Sequence, residues 1–252
     1  MKKQLMLLCL LMGLSMSSQE SSSLDTAAVR ILDRMAEVIG GMESVSFTAE
    51  ISQDVSKSKY GLVKEFSSDQ VYMLGPDKMH VQVNGSTGHK TYWYNGESLV
   101  YYSFSEDNYS VVDAPSNIVD MMDQINRNFD IEFPAADIFF PGFVDLLLEN
   151  FDHIQFLGEK PVDGVPCFHI LASNENTNVQ LWIANDAFFL PERFLILQKD
   201  DQNKQYEVNF TNWQINPVLP VEMFSFVPPP TAKNIAIMAT KSYARNDLKS
   251  EK

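Results

Sequence analysis

Cys167 and His169 stand two apart in Val165-Pro166-Cys167-Phe168-His169-Ile170, a β-prone segment. On a strand their side chains share one face, the geometry of half a metal site or of a thiol beside a base. Neither chemistry is completed elsewhere. His80, His89 and His153 are scattered, and no His-x-His or His-Glu-x-x-His spacing supplies further ligands. Neighbours at i and i+2 on a strand seldom present attack geometry, and a thiol among Val165, Phe168 and Ile170 reads as a small buried hydrophobe. Asp145 and Glu149, four apart, have the spacing of paired acid and base carboxylates, but also that of the solvated face of a helix whose other face carries Phe and Leu. Gly85-Ser86-Thr87-Gly88-His89-Lys90-Thr91 has two residues between its glycines where a phosphate loop needs four, and a strand follows it. It reads as a hairpin turn.

The remaining chemistry is apolar. Aromatic residues make up 12% of the chain and methionine is frequent in the expected helices and strands, and such side chains can wall a cavity for a flexible guest or simply fill a core. The elements that would position them are legible from periodicity. Ala28, Ile31, Leu32, Met35 and Ile39 recur at helical spacing, with Asp25 as cap and Gly40-Gly41 as terminator. The period then changes to two. Val45 to Ile51, Leu62 to Phe66, Gln70 to Leu74, Met79 to Val83 and Tyr109 to Val112 read as strands. Asn95-Gly96 joins two aromatic runs in a hairpin between Lys90 and Tyr102.

Residues 115 to 151 break that pattern. Ile118, Met121, Met122 and Ile125 predict one helix, and Phe143, Leu146, Leu147 and Phe151 another, with Pro134 and Pro141 between them. Strands resume at Ile154 to Glu159, Val165 to Leu171, Val179 to Ala184, Phe194 to Gln198, Gln205 to Trp213 and Phe224 to Val227. Roughly six strands, a helical insertion and about five more strands predict one strongly curved antiparallel sheet rather than two domains.

Met1-Lys2-Lys3, the apolar run Leu5 to Leu14 and the small residues Ser15 to Ser18 follow the order of a secretory signal peptide, expected to occupy residues 1–17. The serines at 21 to 23 offer a second cleavage site. The apolar run is about half the length that spans a bilayer, so no stable membrane insertion is expected after cleavage. Loss of Lys2 and Lys3 takes the formal charge from −14 to −16 and leaves Cys167 as the sole cysteine. So acidic a chain is repelled by phosphate backbones, which excludes nucleic acid as a partner. Residues 238–252 read as a mobile tail.

The second half carries a distinctive series: Gly158, then Val162-Asp163-Gly164-Val165-Pro166-Cys167-Phe168-His169, Gln180-Leu181-Trp182-Ile183, Leu190-Pro191-Glu192-Arg193-Phe194 and Phe224-Ser225-Phe226-Val227-Pro228-Pro229. With the first helix, Pro76-Asp77-Lys78 and Tyr92-Trp93-Tyr94-Asn95-Gly96, this order resembles an uncharacterised family of predicted periplasmic proteins related to the lipoprotein-localisation factors LolA and LolB. The likeness covers residues 25 to 237. It implies a mainly β (α+β) fold, a single unclosed antiparallel β-barrel of about eleven strands with an N-terminal helix and a central helical lid.

The resemblance further implies a periplasmic, non-catalytic protein whose cavity takes a hydrophobic ligand, with lipid or an acylated lipoprotein as partner. Trp93, Met121, Met122, Ile125, Phe143, Leu147 and Trp182 are the expected cavity and lid residues. No catalytic residue, metal or cofactor comes with it. The competing expectation is an envelope-stress sensor or interaction module with an envelope protein as partner, and a third is a hydrolase with a scattered site.

Overall fold

A computed structural model describes residues 23–237 except 87, 132 and 134; the expected signal peptide, 1–17, and tail, 238–252, lie outside the described residues. Helix α1 (Thr26–Gly40) forms where the 3.6-residue period predicts it and buries Ala28, Leu32, Met35 and Ile39. One Asp25 carboxylate oxygen accepts from the Ala27 N–H at 2.8 Å, and the other from Phe156 at 3.3 Å, so a single residue caps the helix and ties it to the sheet. These hydrogen bonds hold the Asp25 carboxyl below its ordinary pKa.

The strands are β1 (Ser23–Leu24), β2 (Ser44–Lys57), β3 (Gly61–Leu74), β4 (Lys78–Gly85), β5 (Gly88–Tyr94), β6 (Ser98–Ser103), β7 (Asn108–Asp113), β8 (His153–Val162), β9 (Val165–Ser173), β10 (Thr177–Ala184), β11 (Pro191–Gln198), β12 (Lys204–Ile215) and β13 (Lys233–Asn234). They form one sheet in the order β1-β8-β9-β10-β11-β12-β2-β3-β4-β5-β6-β7-β13. The eleven long strands, β2 to β12, pair antiparallel throughout, six before the helical insertion and five after it. Because β12 lies against β2, the two runs join in the middle and the free edges fall at β8 and β7. The barrel is unclosed, as expected.

Three details differ from the sequence reading. The runs at Leu62 and Gln70 are one strand, because Ser67 and Ser68 continue the ladder opposite Ile51 and Glu50. Each free edge carries a two-residue parallel strand, β1 on β8 and β13 on β7, which occupies backbone groups that would otherwise offer a template for aggregation. Phe224 to Val227 is not a strand. It follows a single 3-10 turn at Val221–Phe224 within a strap that leaves β12 and crosses the outer face of the sheet, where Pro220 and Pro228 to Pro230 withhold ladder donors.

The strap is held by its side chains. The His80 ring nitrogen Nδ1 lies 2.8 Å from the Met223 carbonyl, and Phe226 sits 4.9, 5.7 and 5.3 Å from the rings of Trp93, Tyr102 and Tyr109. Each aromatic pair contributes about 0.5–1.5 kcal/mol beyond its area. With three such pairs, Phe226→Ala is expected to lower stability by at least about 1.5 kcal/mol and to speed amide exchange in β7 and β13 before the rest of the sheet. Exchange that stays uniform would show that the strap is not what secures that edge.

The Asn95-Gly96 hairpin forms with a three-residue connection. Asn95 accepts through its side chain from the Glu97 and Ser98 N–H groups at 3.0 Å each, and Gly96 takes φ +95°. A β-carbon at Gly96 would lie 2.6 Å from the Asp77 carboxylate, so the Pro76-Asp77-Lys78 turn and the hairpin glycine are one packed unit.

The insertion supplies α2 (Ile118–Phe129), a 3-10 turn (Ala136–Phe139) and α3 (Phe143–Asn150). Asn117 caps α2 by accepting from the Asp120 N–H at 2.9 Å. These elements and α1 fill the concave side of the sheet, sharing one apolar core with Phe47, Val81, Tyr94, Leu181 and Phe210. Phe47 is its aromatic hub, 4.5 Å from Trp213, 5.5 Å from Phe139 and 5.7 Å from Phe210.

Candidate functional site

Inward-facing residues along β2, β3 and β12 change character from one end to the other. On β3 the inward series runs Met73, Val71, Asp69, Ser67, Glu65; on β2 it runs Phe47, Ala49, Ile51, Gln53. The apolar end is filled by the helices. The polar end is not, and there the sheet and the insertion enclose a cleft of about 570 Å³. That falls inside the roughly 300–1,000 Å³ range of small-molecule sites.

The cleft has an apolar floor and a polar rim. Met122 comes from α2, Ile131, Phe133 and Phe140 from the connection to α3, and Ile196 and Tyr206 from β11 and β12. Leu146 on α3 lines it while remaining 51% exposed, so it adds open apolar surface beside the floor. The rim holds Asp54, Asp123, Asp137 and Lys204. Asp54 accepts from the Gln205 N–H and pairs with Lys64, which holds its carboxyl below the usual range, while Asp123 pairs with Arg127 and Lys204 with Asp201.

A smaller chamber of about 160 Å³ adjoins it, with Gln53, Phe133 and Tyr206 lining both. The Phe133 ring meets Tyr92 edge-on at 5.6 Å, and the Ala135 N–H reaches the Tyr206 hydroxyl at 3.4 Å. Asp69, Ser67, Glu65 and Lys90 face this chamber. Asp69 is 3% exposed, and its Oδ1 has no hydrogen-bond partner among the described residues. Burial pushes its carboxyl up to about 6, opposed by a hydrogen bond from Ser67 and the charge of Lys90.

The residues expected at the cavity are distributed differently. Met122 lines the cleft. Met121, Ile125, Phe143 and Leu147 are buried in the core beneath it. Trp93 and Trp182 face away from the helices: Trp93 contacts His80 and Phe226, whereas Trp182 stacks on His169 at 4.2 Å beneath the Arg193 guanidinium. On α3 the side chain presented to the cleft is Leu146, one position before the expected Leu147. Sequence reasoning also missed Ile196, Tyr206 and Asp69. A signal existed for Asp69, which alternates in phase with Val71 and Met73 and so had to face inward.

The alternative chemistries find no support in the geometry. Cys167 is fully buried, with its thiol pushed up to about 11 by burial, so it stays protonated near neutral pH. His169 is held by its stacking and by Gln180 Oε1 at 3.0 Å from Nε2. Asp145 and Glu149 lie on the exposed face of α3. Among the described residues no group of three or more His, Cys, Asp or Glu could hold a metal, and no helix is long and apolar enough to cross a membrane.

Fold and cleft together define a half-barrel protein whose concave side is occupied by helices except at one polar-rimmed end. The chain belongs to the family of predicted periplasmic proteins designated DUF2092, whose model matches residues 28–238, and its place is the periplasm. No curated protein matches it. Among solved structures it is similar to an uncharacterised conserved protein of Thermus thermophilus, at 14% identity and a TM-score of 0.48 over 83% of this chain and 98% of that one. It is also similar to the lipoprotein LppX of Mycobacterium tuberculosis, at 14% identity and 0.49 over 77% and 98%. A LolA superfamily protein of Nitrosomonas europaea gives 13% identity and 0.38 over 79% and 97%.

Proposed function

We propose that this protein is a non-catalytic binder of an amphiphile, a lipid or the acyl part of a lipoprotein, whose chain lies in the cleft between α2, α3 and strands β2, β11 and β12. The observation that carries the reading is the half-exposed Leu146 over an apolar floor inside a ring of polar side chains. Such a surface gains from covering by an apolar chain and needs no specific charge to hold it. A chain of about fourteen methylenes at about 0.8 kcal/mol each offers roughly 11 kcal/mol gross, before association and ordering costs.

Leu146→Asp separates binding from folding, because the side chain is exposed and the core does not depend on it. A fluorescent fatty acyl probe is expected to bind the wild type saturably in the micromolar range and the variant roughly tenfold more weakly, as an unpaired carboxylate must be desolvated under the chain. Native mass spectrometry of protein released gently from the periplasm identifies the natural guest. Consistently empty protein with no saturable probe binding would overturn the proposal and favour an interaction module.

A further inference from the structure

The smaller chamber beside the cleft is built differently from the cleft itself. Its walls come from β2, β3, β4 and β5, and two carboxylates, Glu65 and Asp69, face it against one ammonium, Lys90. Glu65 is engaged by Lys57 at 2.8 Å. Asp69 is engaged on one side only: the Ser67 hydroxyl donates to its carboxyl, while Oδ1 is sealed from solvent with no donor from the described residues. A buried carboxylate oxygen left without a donor is costly, so its natural complement is a group that brings one.

The geometry points to this chamber as a binding site for a primary ammonium group, the polar end of an amphiphile whose chain occupies the adjoining cleft. This rests on the cleft reading above. An ammonium carries three donors and the charge that complements an ionised Asp69, and a charge-assisted hydrogen bond to a buried carboxylate is about twice as strong as a neutral one. The volume, about 160 Å³, admits an aminoalkyl group rather than a large headgroup. Gln53, Phe133 and Tyr206 form the wall common to both spaces, so one guest can reach both. At the cleft rim Asp54 and Asp123 are paired with Lys64 and Arg127, while Asp137 has no ion pair among the described residues. A fatty acid would set its own carboxylate against these groups, whereas an aminolipid or an alkylamine would not.

Two kinds of probe test the site at physiological ionic strength, where diffuse attraction to an acidic protein is screened. Dodecylammonium, dodecanol and dodecanoate share a chain and differ at the end. Wild-type protein is expected to bind dodecylammonium at least about tenfold tighter than the other two, and Asp69→Asn to bind amine and alcohol alike. Propylammonium, too short to gain from the cleft, is expected to shift the carbon resonance of the Asp69 carboxyl in wild-type protein.

Equal affinity for dodecylammonium and dodecanol, a preference retained in Asp69→Asn, or no effect of propylammonium on the Asp69 resonance would overturn the ammonium site. If dodecanol binds without any preference for the amine, the chain site stands and the ammonium site falls. If propylammonium perturbs Asp69 while none of the dodecyl probes binds, the reverse holds.

Discussion

Ile125→Ala is expected to destabilise the whole protein by about 2–5 kcal/mol, the range for truncating a fully buried isoleucine into a cavity. Ile125 is 0% exposed, and Met121, at 0%, and Met122, at 4%, share its face of α2. These side chains pack into the same core as the inward residues of both strand runs, so shortening one of them leaves a void bordered by sheet and helix together. Urea unfolding followed by tryptophan fluorescence and by far-ultraviolet circular dichroism checks this. Both probes should shift to a lower midpoint together, with little change in slope. A separate early transition that leaves the sheet intact would mean that α2 detaches as a lid, and binding would then have to be described as its displacement.

Asp69→Asn is expected to stabilise the protein above neutral pH by about 2–3 kcal/mol and to have little effect near pH 4. The sign follows from burial. The Asp69 carboxyl has its pKa raised from 3.8 to about 6, so the folded state prefers the protonated form. Below the unfolded pKa both states are neutral and no cost exists; the cost of ionisation grows as pH rises from about 4 to about 6 and is fully present above that. Lys90 on β5 and the Ser67 hydroxyl on β3 favour the ionised form, and Glu50 on β2 opposes it; Glu65 faces the same chamber, and Tyr92 on β5, whose own pKa is raised by burial, Tyr101 and Asp69, lies beside it. Thermal unfolding across pH 4 to 8 should therefore show wild type and variant converging at the acid end. Curves that stay parallel would remove Asp69 as the origin of the difference. A residue that weakens the fold at the pH where it is ionised is what a binding position looks like, since the missing energy is restored when a donor arrives.

The helix and strand content was legible because each signal is local. Alternation at Val45 to Ile51 or Val179 to Ala184 requires only that one face be buried, and the 3.6-residue period of α1 with Asp25 before it requires only its own sequence. A single strongly curved antiparallel sheet around a helical insertion followed from counting those segments, whereas the unclosed barrel of about eleven strands was implied by the family resemblance. The strand expected at Phe224 to Val227 failed for an equally physical reason. Its aromatic residue Phe226 packs against Trp93, Tyr102 and Tyr109, so the apolar pattern was read rightly, while Pro220 and the three prolines after Val227 left the backbone without ladder partners.

The site depended on what the local pattern cannot contain. Leu146 and Leu147 are adjacent, equally apolar and on one helix; which of them meets the cleft is set by how α3 lies against α1 and the 3-10 turn. Trp93 and Trp182 were expected at the cavity because they are large and apolar, but the pleat of β5 and β10 turns them to the outer face. For Asp69, alternation along β3 specifies only the inward direction. Whether its carboxylate finds a donor there is decided by what β2, β4, β5 and Phe133 place opposite it, and pairings separated by dozens of residues close only when β12 meets β2 and the sheet curls around the insertion. Periodicity specifies which face of each element is buried; only the assembled barrel determines which buried atoms are left without a partner.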